Sequence, residues 1–105
     1  MALKVLGQLA CAATTLETVY TVPNGKTAVV STLAVCNRSG SSATYRVAIR
    51  VAGAALDNKQ YLFYDVALAG GTDLYTIGLS LGAGDVVSFY SSAATMTVQL
   101  FGDES

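Results

Sequence analysis

Apolar side chains recur in this chain at every second position, and no window offers a capped, amphipathic helix of useful length. Successive side chains of an extended strand point to opposite faces, so this spacing restricts the chain to half-buried strands. Residues 43–52 are the clearest case. Tyr45, Val47, Ile49 and Val51 share one face, while Thr44, Arg46, Ala48 and Arg50 share the other. Over 59–68 the apolar row is Leu62, Tyr64, Val66 and Leu68, opposed by Lys59, Tyr61, Phe63 and Asp65. Met96, Val98 and Leu100 alternate with Thr95, Thr97 and Gln99. In 27–36, Val29, Leu33 and Val35 fall on one side and Ala28, Val30, Ala34 and Cys36 on the other. Both sides are apolar, which predicts a central strand covered on both faces.

Leu3 to Leu9, Leu16 to Val22, Leu74 to Leu81 and Asp85 to Ser91 complete a set of about eight short strands. Turn chemistry separates them. Pro23-Asn24-Gly25 is read as closing a first hairpin, since proline presets φ and Asn and Gly tolerate positive φ. Arg38 to Ser42, Gly53 to Asn58 and Gly70 to Asp73 read as loops, and Gly82-Ala83-Gly84-Asp85 as a tight turn. Such regular punctuation predicts an all-β antiparallel sandwich or barrel. Eight strands favour a jelly-roll-like sandwich of two four-stranded sheets. An immunoglobulin-like sandwich is the alternative, but the chain has no tryptophan and lacks the Cys…Trp…Cys core pattern.

The 105 residues fit one domain, 1–105, with 1–15 as an N-terminal arm or edge strand. Hydrophobic residues make up 52% and charged residues 12%, where about 25% charged is ordinary. A small body cannot hide that much apolar material, so part of its surface is expected to be buried against partners. Six basic and seven acidic side chains are scattered singly, leaving no electrostatic footprint for nucleic acid or an anionic membrane. The opening Met-Ala-Leu-Lys-Val-Leu-Gly does not read as a secretory signal, and no apolar run approaches the length of a membrane span. Cys11 and Cys36 are therefore expected as reduced thiols, Cys36 as a small buried hydrophobe, with a disulfide between them left open.

The chain has no histidine, which removes the commonest general base and metal ligand. Two distant cysteines and scattered aspartates lack the spacing of a zinc site. Asp57-Asn58 and Gly71-Thr72-Asp73 are the nearest approach to a calcium loop, but turn-forming side chains explain both more simply. Gly70-Gly71 and Gly82-Ala83-Gly84 lack the following Lys and Ser/Thr of a phosphate cradle. No catalytic residue, metal or cofactor is expected, and the chain is read as a non-enzyme. Arg46 and Arg50 lie four apart on one strand face, roughly 13 Å along it. They read either as a solvated outer face or as a pair docking onto carboxylates of a neighbour. Tyr61 and Phe63, placed on the more polar face of their strand, are the best aromatic interface candidates.

The run Leu16-Glu17-Thr18-Val19-Tyr20-Thr21-Val22-Pro23-Asn24-Gly25-Lys26, continuing through Val30-Ser31-Thr32-Leu33-Ala34-Val35-Cys36-Asn37-Arg38, is similar to the LYTVPxGKxxxVSTLxVxNR opening of small virion proteins of tailed bacteriophages. Leu79-Ser80-Leu81-Gly82-Ala83-Gly84-Asp85-Val86-Val87-Ser88-Phe89-Tyr90 resembles their LxLxAGDxVxxY segment, and Phe101-Gly102-Asp103-Glu104 their closing FGxE. The resemblance implies a β-sandwich of the capsid cement (decoration) type, found in the virion and made in the host bacterial cytoplasm. It implies a homotrimer bound to the major capsid protein or another virion protein, stabilising capsomers, with neither nucleic acid nor membrane as partner. A tail, fibre or baseplate component is the alternative, and a small carbohydrate-binding module the second alternative.

Overall fold

A computed structural model describes residues 3–105. Eight strands form: β1 (Lys4–Ala10), β2 (Glu17–Thr21), β3 (Ala28–Asn37), β4 (Ala43–Arg50), β5 (Tyr61–Leu68), β6 (Gly71–Leu81), β7 (Val86–Ser91) and β8 (Met96–Glu104). They make two four-stranded antiparallel sheets, ordered β1-β8-β3-β6 and β2-β7-β4-β5. Strand 1 pairs with 8, 2 with 7, 3 with 6 and 4 with 5. That nesting is one long hairpin rolled up on itself, the jelly-roll arrangement the strand count predicts. Among the described residues no helix is long and apolar enough to cross a membrane.

The nesting corrects one expectation. β2 and β3 belong to different sheets, so Pro23-Asn24-Gly25 is a crossover between sheets and not a hairpin. Its turn chemistry is as read: Lys26 N–H donates to the Pro23 carbonyl at 3.2 Å, and Gly25 has φ +76°.

The core lies between the sheets. Val30, Leu33 and Val35 from β3, Tyr45 and Val47 from β4, Phe89 from β7, and Met96, Val98 and Leu100 from β8 are all sealed from solvent. Each such side chain contributes roughly 1.5–3 kcal/mol by leaving water. The rows read for β4 and β8 are therefore correct, except at the end of β4. Ile49 is only half-buried, and Val51 is 65% exposed because the strand gives way to a 3₁₀ turn at Val51–Gly53.

Bulges overturn the period-two reading in two other strands. Against β8, β3 carries an extra residue at Ser31, which shifts the register between Val30 and Thr32; against β6 the register shifts at the same place, with the surplus residue on β6. Ser31 Oγ donates to the Phe101 carbonyl at 3.2 Å, which holds the irregularity. Ala28 and Val30 point inward before the bulge and Leu33 and Val35 after it, so Val29 does not belong with Leu33 and is 40% exposed. The predicted cover on the outer face of β3 is also missing within this chain, since Ala34 and Cys36 are half-exposed there. In β5, Tyr64 and Asp65 together oppose Arg46, and Asp65 takes a positive φ of +51°. An inserted residue reverses which side chains face the core. Phe63, Val66 and Leu68 consequently pack inward, while Leu62 and Tyr64 are exposed.

Two glycines mark close backbone approaches. A methyl group on Gly7 would overlap the Val19 carbonyl where β1 crosses β2, and one on Gly102 would overlap the Val29 carbonyl. Neither position admits a side chain without moving a strand.

Candidate functional site

Sheet β2-β7-β4-β5 carries an organised polar and aromatic cluster on its outer face. Arg46 projects from β4 and is held by Asp65, with Nε to Oδ1 at 2.6 Å and Nη2 to Oδ2 at 3.2 Å. A forked guanidinium–carboxylate contact of this kind fixes orientation as well as charge. The bulge that gives Asp65 its positive φ also brings its carboxylate to Arg46. The guanidinium lies 4.2 Å from the Tyr64 ring centre and 4.7 Å from the Tyr90 ring centre, so two ring faces flank it. Tyr61 stands edge-on to Tyr64 at 4.9 Å. Hydrogen bonding to Arg46 holds the Asp65 carboxyl below the usual carboxylate range, and the same contact raises the Arg46 guanidinium. The cluster is a partly exposed surface of Tyr and Arg, residues enriched where protein interfaces are strongest.

Of the four interface candidates read from the sequence, two meet in this cluster: Arg46 and Tyr61. Arg50 does not join them. Its Nε donates to the Ala54 carbonyl at 2.8 Å and its Nη2 to the Gly53 carbonyl at 3.1 Å, so it fastens its own loop. Phe63 is on the opposite side from the one read, because the Asp65 bulge lies beside it; it stacks on Tyr75 at 4.5 Å and packs against Tyr45 within the core. Sequence reading missed Tyr64 and Tyr90 as members. Tyr90 lies directly opposite Arg46 across β4 and β7, a relation that only the sheet register supplies.

Beside the cluster, the start of β5 and the end of β4 enclose an open cleft of about 590 Å³. Ile49, Val51, Ala54, Lys59, Gln60, Tyr61 and Leu62 line it, a mainly apolar set with exposed Val51 and Leu62 at its rim.

The acidic residues have structural partners. Asp57 caps a short 3₁₀ turn, Asn58–Gln60, in a reciprocal arrangement with Gln60. Asp85 accepts from the backbone N–H groups of Gly82 and Ala52 at 2.9 Å each, joining two loops. Asp73 accepts from the Tyr45 hydroxyl at 2.8 Å, a bond that links the two sheets, and Tyr75 OH touches the same hydroxyl. On the opposite flank, Tyr20 OH donates to Glu104 Oε1 at 2.6 Å and again joins one sheet to the other. Burial, then the neighbouring hydrogen-bond partners, raise both tyrosine hydroxyls well above their ordinary range. Among the described residues no three His, Cys, Asp or Glu side chains gather as metal ligands. Both cysteines are free thiols: Cys11 is buried, which pushes its thiol pKa up, and Cys36 sits half-exposed on an outer face instead of in the core.

The outer face of β1-β8-β3-β6 has the opposite character. Three cross-strand rows run across all four strands: Val5–Phe101–Thr32–Thr76, Gln8–Gln99–Ala34–Leu74 and Ala10–Thr97–Cys36–Thr72. None of these twelve side chains carries a charge. Leu74 is 65% exposed and Val5 48%. Gln8 Nε2 donates to Gln99 Oε1 at 2.9 Å. Between β1 and β8 lies a shallow depression of about 280 Å³, lined by residues 8–10 and 97–99. No family model, curated protein or solved structure matches this chain.

Proposed function

We propose that this chain is a structural subunit of a bacteriophage particle, docked on the particle's protein shell in the manner of a capsid cement protein. The Arg46 cluster carries the reading. It presents Tyr61, Tyr64 and Tyr90 around a guanidinium already neutralised by Asp65. Such a surface binds by ring area and geometry, with few side chains left to order on contact. The three phage-like segments supply the particle. Two of them include or adjoin the crossovers at 23–26 and 82–85 that build the sandwich. A tail, fibre or baseplate position would use the same surface.

Electron cryo-microscopy of intact particles tests the proposal and separates head from tail. Density for the sandwich on the shell is expected, with the β2-β7-β4-β5 face toward the neighbour. The double variant Arg46→Ala/Tyr64→Ala should keep its circular dichroism spectrum and lose occupancy by tenfold or more; full occupancy, or a particle without the chain, would sink the reading.

A carbohydrate-binding role is the second reading. The tyrosine cluster favours it, since Tyr64 is 57% exposed beside Arg46 and Asp65. Strong, Tyr64-dependent hits on a glycan array would put it first.

A further inference from the structure

We propose that the neutral face of sheet β1-β8-β3-β6 is where two copies of this chain pack together about a two-fold axis, Leu74 of each copy seating in the depression between β1 and β8 of the other. The inference stands apart from the virion reading, because it concerns a different sheet and needs no particle.

Scarcity of charge on the face argues for a copy of itself as the occupant. In a two-fold interface the same patch is used by both partners, so every group must suit its own neighbourhood as seen from the other side. A charged group there would be desolvated at both equivalent positions; the three cross-strand rows contain none, and Asp103, in the next row opposite Val29, is already buried within the single chain and accepts from Ser105 Oγ at 2.9 Å. A partner with a strongly charged surface would lose its hydration against this face and gain no ion pair in return.

Shape supports the same arrangement. The middle row ends in Leu74 on β6 and in Gln8, at the rim of the depression, on β1. An axis running along the strands, midway between β8 and β3, places β6 of one copy over β1 of the other. Projection and depression, at opposite ends of one row, then meet twice. The Gln8–Gln99 amide bond already satisfies part of the polar groups that pairing would cover. With strands about 4.8 Å apart and rising about 3.3 Å per residue, the three uncharged rows cover roughly 300 Å² and the whole sheet face, the row of Asp103, Val29 and Ser80 included, roughly 600 Å². Two such faces bury on the order of 1,200 Å², the lower end of the range for stable, specific interfaces.

The test uses the purified chain in sedimentation velocity and native mass spectrometry over a wide concentration range. Even-numbered species are expected: dimers, or hexamers where another face also assembles. Leu74→Arg would bury an unpaired charge in the depression and should weaken the pairing at least 100-fold while leaving the circular dichroism spectrum unchanged. Because loss of association alone could have an indirect cause, a cross-link supplies the second measurement. In a Cys36→Ser background, Gln8→Cys and Leu74→Cys stand three strands apart within one chain. A short bis-maleimide should join residue 8 of one copy to residue 74 of the other and give a covalent dimer. A chain that stays monomeric at about 100 μM, odd-numbered species only, undiminished association of Leu74→Arg, or failure of the 8–74 link would each overturn the pairing. A chain that pairs but is missing from particles would keep this inference and remove the virion reading.

Discussion

Tyr45→Phe deletes one oxygen from the interior of the sandwich and severs a link between its sheets. The hydroxyl donates to Asp73 at 2.8 Å and touches Tyr75 OH, while the ring stacks on Phe89 at 5.8 Å and Tyr45 as a whole is sealed from water. Phenylalanine keeps the ring contacts, so the change isolates the hydroxyl. Removing a hydrogen bond to a charged group costs about 1.5–3 kcal/mol, and Asp73, being half-buried, recovers part of that from solvent. A loss of about 2 kcal/mol is expected, which lowers the melting midpoint of a domain this size by roughly 10 °C. The pH dependence gives a second handle. The folded hydroxyl is raised above the ordinary tyrosine value of 10.0, first by burial and then by its bonds to Tyr75 and Asp73. Its contribution is thus whole below that value and is lost as pH climbs toward the folded pKa. Wild-type stability should fall on the alkaline side of 10, and Tyr45→Phe should fall less steeply, the remainder coming from Tyr20 beside Glu104. Thermal melts followed by circular dichroism from pH 6 to pH 11 measure both. A midpoint within about 2 °C of wild type at pH 7 would refute the argument, since less than about 0.5 kcal/mol would then reside in the bond.

Gly102→Ala should prevent folding or shift β8 out of register, since its methyl would overlap the Val29 carbonyl; a near-native melt would show that the strands yield. Phe63→Ala should cost about 2–4 kcal/mol, less than a fully sealed phenylalanine, whereas Tyr61→Ala should cost under about 1 kcal/mol; urea unfolding of the two variants distinguishes the faces assigned to them. Val47→Asp should abolish the cooperative transition because that side chain is sealed, while Ile49→Asp, at a half-buried site, should only lower the midpoint. A normal melt for Val47→Asp would discard the inner row of β4.

The strand count, the sandwich and the rows of β4 and β8 were legible because those strands keep strict alternation. What alternation cannot reveal is an inserted residue. Ser31 and Asp65 are ordinary strand-face residues by their letters alone, yet each reverses the facing of the residues on its far side. That is why Val29 and Phe63 were assigned to the wrong sides. Arg46 could be placed on an outer face from sequence, but its company could not. Tyr64 reaches it through a bulge and Tyr90 through the β4–β7 register, and neither leaves a local signal. The neutral face was equally hidden, because its three rows combine four strands that are distant in the chain. Low overall charge foretold that such a surface would exist somewhere. It could not say where.

The nested pairing orders events in time as well as in space. Its innermost pair, β4 with β5, closes over a short loop, whereas β1 and β8 must meet across nearly the whole chain. Loop-closure entropy therefore sets the outermost pair as the expected final step of folding. The depression that receives Leu74 is made by that last pair. A nascent or partly unravelled molecule would then lack the receptor half of its own contact surface and stay solitary until complete, which pulse-labelling hydrogen exchange of β1 and β8 amides against the β4 and β5 amides would reveal as late protection.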